Sequence, residues 1–120
     1  MTRIYLVDDQ HDVLELWHLL IDLANAGLVV AGESSAPDQA LITDDAVTAD
    51  VLVTDQMMPG MTGLELIAAL RERGFTGVTV LCSAFVDPAL EDDARALGVD
   101  VCLPKASQSQ LPDVIRTAAA

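Results

Sequence analysis

Short apolar runs alternate with stretches of helical periodicity along the whole chain. The first run, Arg3 to Val7, closes on Asp8 and Asp9. Asp12 to Ala26 then carries Val13, Leu16, Trp17, Leu20 and Ala24 at helical spacing, with Gly27 as a C-terminal stop. A second run, Leu28 to Ala31, leads into Gly32. Ser35-Ala-Pro-Asp38 has the form of a capped helix start, predicting a short helix to about Asp45. The third run, Val51 to Thr54, ends at Asp55. Thr62-x-x-Glu65 forms a capping-box pattern, and Leu66, Ile67 and Leu70 line one helical face up to Gly74. The fourth run, Val78 to Cys82, ends at Ser83. Asp87-Pro88 supplies an N-cap and a first-turn proline for a helix through Leu97 to a stop at Gly98. The fifth run, Val101 to Leu103, ends at Pro104-Lys105, and a last helix starts near Ser109.

Five strand–helix units in succession predict an α/β fold: a parallel sheet with right-handed crossovers and helices on both faces. At 120 residues there is room for one domain and one core, so residues 1–120 are read as a single unit. The apolar fraction of 52% and mean hydropathy of +0.40 suit strands buried on both sides. No apolar stretch reaches the roughly 18–20 residues of a spanning helix, and the N-terminus lacks a signal-peptide pattern. The expectation is a cytoplasmic protein with no membrane contact. A net charge of −13, from 19 acids against 6 Lys and Arg, argues against direct binding to nucleic acid phosphates. Cys82 and Cys102 both sit in apolar segments and read as small hydrophobes rather than as a disulfide or metal pair. His11 reads as a loop residue, His18 as a surface-helix residue and Trp17 as core.

In open parallel sheets, ligands bind at the carboxyl ends of the strands. Here those ends hold Asp8 and Asp9, Asp55, Ser83 and Lys105. Singly, a loop Asp is usually a turn former and a lone Lys is usually solvated. Their shared placement at one sheet edge is what the bland reading does not explain. Carboxylates held close together repel, which favours an intervening cation. Magnesium suits such a site, because it takes oxygen ligands, keeps several waters and accepts phosphate oxygens. Lys105 offers a point charge to a phosphoryl oxygen and Ser83 a hydroxyl donor. This is equipment for phosphoryl transfer with a carboxylate as acceptor. Asp55 is the favoured acceptor, since Gln-Met-Met-Pro-Gly after it makes a loop from which it projects.

The chain resembles the receiver domain of two-component response regulators. The resemblance rests on Val7-Asp8-Asp9, Asp55-Gln-Met-Met-Pro-Gly60, Thr62-Gly63, Ser83-Ala84 and Pro104-Lys105. It implies a flavodoxin-like doubly wound five-stranded sheet of order 2-1-3-4-5. It implies phosphorylation of Asp55 by a sensor histidine kinase or a histidine phosphotransfer protein. Magnesium would be held by Asp9, Asp55 and the backbone carbonyl of Met57, with Asp8 acting through a water. Ser83 and Lys105 would grip the phosphoryl oxygens. The resemblance also places kinase docking on the first helix, and a dimer or effector contact on the last two helices and the fifth strand. The chain departs from the family pattern at Cys102, where a switch aromatic often stands. Signal transmission is therefore expected to run through the backbone of Ser83 to Phe85 and the following helix.

Two other classes of protein fit the sequence less well. An aspartate-nucleophile phosphatase would need a second Asp two residues after the nucleophile, where Met57 stands, and a P-loop enzyme would need G-x-x-x-x-G-K-[ST]. A pseudo-receiver that acts only as a phosphorylation-independent interaction module would lack an acid or the Lys, and none is missing.

Overall fold

The computed structural model describes residues 1–120. Five parallel strands, β1 (Thr2–Val7), β2 (Leu28–Ser34), β3 (Val51–Thr54), β4 (Val78–Ser83) and β5 (Val101–Pro104), form one sheet of order β2-β1-β3-β4-β5. Six α-helices surround it: α1 (His11–Ala24), α2 (Pro37–Leu41), α3 (Asp44–Val47), α4 (Gly63–Glu72), α5 (Pro88–Ala96) and α6 (Leu111–Ala119). A 3-10 turn over Lys105–Gln110 connects β5 to α6.

The continuous apolar runs have a simple cause. Side chains alternate between the two faces of a strand, and both faces are covered. Ile4, Leu6, Val51, Val53, Val80 and Cys82 point to one side, against Leu14, Trp17 and Ile21 of α1 and Leu111 and Ile115 of α6. Tyr5, Val7, Leu52 and Leu81 point to the other side, against Leu66, Ile67 and Leu70 of α4, Ala94 of α5, and Phe75 between α4 and β4. Trp17 is fully buried, and its indole Nε1–H donates to Gln108 Oε1 at 3.0 Å, tying α1 to the turn after Lys105. No helix is long and apolar enough to cross a membrane.

Several element boundaries differ from the sequence expectation. β2 continues through Gly32 to Ser34, with an irregularity that pairs Ile4 with Val30 but Tyr5 with Gly32. A side chain at Gly32 would stand 2.7 Å from the Tyr5 ring, so only glycine lets the shifted strand pass. Ser35 does not cap the next helix. Ala36 occupies the N-cap with Pro37 first in the helix, and Leu41 ends it. A second short helix, α3, is instead capped by the Thr43 hydroxyl, which accepts from Ala46 N at 3.3 Å. α1 stops at Ala24 because Asn25 adopts the left-handed conformation (φ 44°), ahead of Gly27. His11 is the first residue of α1 rather than a loop residue, and α6 begins at Leu111, after the 3-10 turn that contains Ser109. On α1, Leu14 and Ile21 are buried, while Leu16, Leu19 and Leu23 remain exposed at i, i+3 and i+7.

Candidate phosphoryl and metal site

The carboxyl ends of β1, β3, β4 and β5 converge on one edge. Backbone pairing sets the convergence: Val7 lies beside Thr54, Thr54 beside Leu81, and Ser83 beside Pro104. Asp8, Asp55 and Lys105 each follow directly on the last paired residue of a strand, Ser83 is itself the last paired residue of β4, and Asp9 comes one residue after Asp8. Asp8 N–H still bonds to Ser34 O, and Asp55 N–H to Val7 O, so both acids begin from fixed backbone. Asp8, Asp55 and Ser83 are buried, Asp9 is half-buried, and the Lys105 side chain is largely covered.

All five side chains that the sequence pointed to lie at this edge. One oxygen from each of Asp8, Asp9 and Asp55 fits within a cluster whose members are no more than 4.8 Å apart. Lys105 Nζ lies 2.9 Å from Asp8 Oδ2 and 3.3 Å from Asp55 Oδ2. The other oxygens are held by the main chain: Asp8 Oδ1 accepts from Gln10 N at 2.8 Å, and Asp55 Oδ1 from Gln56 N at 2.8 Å. Each of these two carboxylates thus has one oxygen locked by a peptide and the other turned towards the ammonium.

Burial holds the Asp8 carboxyl above its ordinary pKa, and the Gln10 peptide and the Lys105 ammonium offset this only in part. Burial also works against the Lys105 ammonium, but the close contact with the Asp8 carboxylate and its charge, joined by Asp55, carry its pKa above the usual lysine value. Cys82, under the site, is pushed up to about 12 by burial, aided by the charges of Asp55 and Asp8. Its thiol is an inert hydrophobe, as expected from its apolar run. Cys102 is half-buried and its thiol is likewise raised, chiefly by burial.

The donor set fits a hard divalent cation. It offers three clustered carboxylates, and buried Asp8 Oδ2 receives no well-aligned hydrogen bond although the ammonium stands beside it. One monovalent ammonium among three acids leaves the edge underneutralised, and a dication supplies the balance. Met57 and Phe85 sit at the rim with their side chains exposed.

A contact that sequence reading did not identify lies in the loop after Asp55. Gln56 O accepts from Gly63 N at 2.9 Å, and Gln56 Oε1 accepts from Leu64 N at 3.0 Å. Nothing in the spacing signals this, because the bond spans eight residues across a loop. Gly63 closes the same loop tightly: a Cβ there would stand 2.2 Å from Asp55 O.

The fold and this edge define a doubly wound α/β domain with an acidic, lysine-bearing strand-end site. Residues 4–116 match the response regulator receiver domain. The chain belongs to that family, whose members are signalling domains of two-component systems. It is similar to the transcriptional regulatory protein CpxR of Escherichia coli K12, at 33% identity over 108 residues covering 88% of this chain and 43% of that protein. It is also similar to FixJ of Azorhizobium caulinodans, at 33% identity over 104 residues covering 85% of this chain and 47% of FixJ. The chain thus spans less than half the length of these two relatives. Among solved structures, the signal receiver domain of NarL from Mycobacterium tuberculosis superposes with a TM-score of 0.88 at 28% identity, covering 98% of this chain and 95% of that one.

Proposed function

We propose that the chain, as one receiver unit over residues 1–120, accepts a phosphoryl group on Asp55 from a phosphohistidine of a sensor kinase or phosphotransfer protein. The convergence of Asp8, Asp9 and Asp55 within 4.8 Å, with Lys105 at 2.9 and 3.3 Å from two of them, carries this reading. An Asp55 carboxylate oxygen attacks phosphorus, an acyl phosphate bond forms, and the donor's phosphorus–nitrogen bond breaks with return of the electron pair to imidazole. Asp55 Oδ1 is held by Gln56 N–H, which fixes the carboxylate plane before attack. Lys105 needs only to exchange one carboxylate partner for a phosphoryl oxygen, and Ser83 donates to another. Asp9, Asp55 and the Met57 carbonyl would hold magnesium, with Asp8 contributing through a water. The bound ion would neutralise charge on the transferring group and its carboxylate neighbours. The same residues support self-catalysed phosphorylation and slow hydrolysis, which is a signalling cycle rather than multiple turnover of a substrate.

Every acid and the lysine of the site are present and assembled, which favours this chemistry over a phosphorylation-independent interaction module. Acetyl phosphate labelling read by peptide mapping tests the acceptor. Label is expected on the peptide that contains Asp55; label on the Asp8–Asp9 peptide instead would overturn the assignment.

A further inference from the structure

We propose that Gln56 is a positioning residue of this site: it clamps the start of α4 to the peptide after Asp55 and so holds the 56–62 loop in its metal-binding form. This rests on the reading of Asp55 and the Met57 carbonyl as magnesium ligands. The first N–H groups of a helix have no partners within the helix. At α4 every one of them is accounted for. Thr62 N donates to Glu65 Oε1, and Glu65 N to Thr62 Oγ1. Leu66 N reaches Thr62 O, and the remaining two donors, Gly63 N and Leu64 N, both end on Gln56. Gln56 is also the residue whose own N–H holds Asp55 Oδ1. A single residue therefore joins the acceptor carboxylate to a helix terminus through three hydrogen bonds.

Met57 lies inside the loop that these bonds close, one residue beyond the clamp. Its carbonyl direction depends on the loop staying seated against α4, and the Gln56 side chain supplies one of the two bonds that seat it, Leu64 N–H to Oε1 beside Gly63 N–H to Gln56 O. Hydrogen-bond partners that orient metal ligands are typically worth about 10–100-fold in affinity. An aliphatic residue at position 56 keeps the backbone bonds but removes the Oε1 acceptor, leaving the Leu64 N–H to water and the loop seated against α4 by one bond instead of two.

Calorimetric titration with magnesium chloride, on the wild type, Gln56→Leu and Gln56→Glu, tests the clamp, with amide hydrogen exchange at Leu64 as a second readout. Gln56→Glu retains an oxygen at the same place. The expected result is magnesium affinity about tenfold weaker in Gln56→Leu with faster exchange at Leu64, and affinity at least equal to wild type in Gln56→Glu. Equal affinity in wild type and Gln56→Leu would overturn the proposal, as would Gln56→Glu weakened as much as Gln56→Leu. If Gln56→Leu fails to fold, Gln56→Ser, which also lacks the long acceptor, takes its place with the same two outcomes. Wild type that takes up no magnesium would overturn the site reading itself, and the clamp with it; a loss confined to Gln56→Leu is the result only the clamp produces.

Discussion

Asp8 is under electrostatic tension, with a carboxylate fully removed from solvent and one oxygen lacking a well-aligned donor. Burial raises its folded pKa, so the fold favours the protonated form. The linked stability of the metal-free chain is then fully present below the ordinary carboxylate pKa and is lost as pH rises through the elevated one. Lys105, also raised, loses its contribution only in the alkaline range above the ordinary lysine value. Asp8→Asn should therefore raise the metal-free melting temperature at neutral pH, with the gain shrinking on acidification. A melting temperature below wild type at neutral pH would contradict this. At this scale the sequence was informative where chemistry coincides with a strand end: Asp8, Asp9, Asp55, Ser83 and Lys105 each terminate an apolar run. Gln56 was not legible, since its role depends on a bond across a loop to Leu64.

The element that matters most to the site is α4, whose start is the floor of the acceptor loop. Thr62 and Glu65 form a reciprocal capping box at its N-terminus. Thr62→Ala should cost about 1 kcal/mol, as for other N-cap hydroxyls. Gly63→Ala should cost more, about 1–3 kcal/mol, because its methyl would collide with the backbone at Asp55 O, which cannot swing aside as a side-chain tip can, as well as with Leu81 Cδ1. Urea unfolding of both variants checks the order, and Gly63→Ala unfolding no more easily than Thr62→Ala would contradict it. The capping box and the Asp87-Pro88 start of α5 were readable because their signals are local, within three residues. The break between α2 and α3 was not. Ile42 and Thr43 carry no Gly or Pro, and the stop is enforced by the Thr43 cap and by packing of Ala40 and Ala46 into the core. The extension of β2 was likewise hidden, because Gly32 reads as a terminator although the register shift beside Tyr5 keeps it in the strand.

Across the whole molecule, two apolar layers fix a rigid sheet, and the site draws on ends of four of its strands. The strand order and two-sided cover were legible from alternation and from the family resemblance together, since alternation predicts the layers but not the order. Cys102 is half-buried and lines a cavity of about 190 Å³ with Glu91, Ala94, Arg95, Val99 and Asp100; under the proposed phosphorylation of Asp55, with no aromatic at this position, a signal would have to leave the edge by another route. We infer that the Ser83–Phe85 backbone and α5 carry it. Structures with and without beryllofluoride should differ there, and an unmoved loop would refute the route. Under the proposed function, a chain of net charge −13 would take an anionic group onto an acidic edge, which calls for a cation as well as Lys105. Intact-mass measurement after incubation with acetyl phosphate, with magnesium or with chelator, on wild type and Asp55→Asn, tests it most directly. The account predicts one phosphoryl increment in wild type with magnesium and none in the other three samples; an increment in Asp55→Asn, or in wild type with chelator, would contradict it.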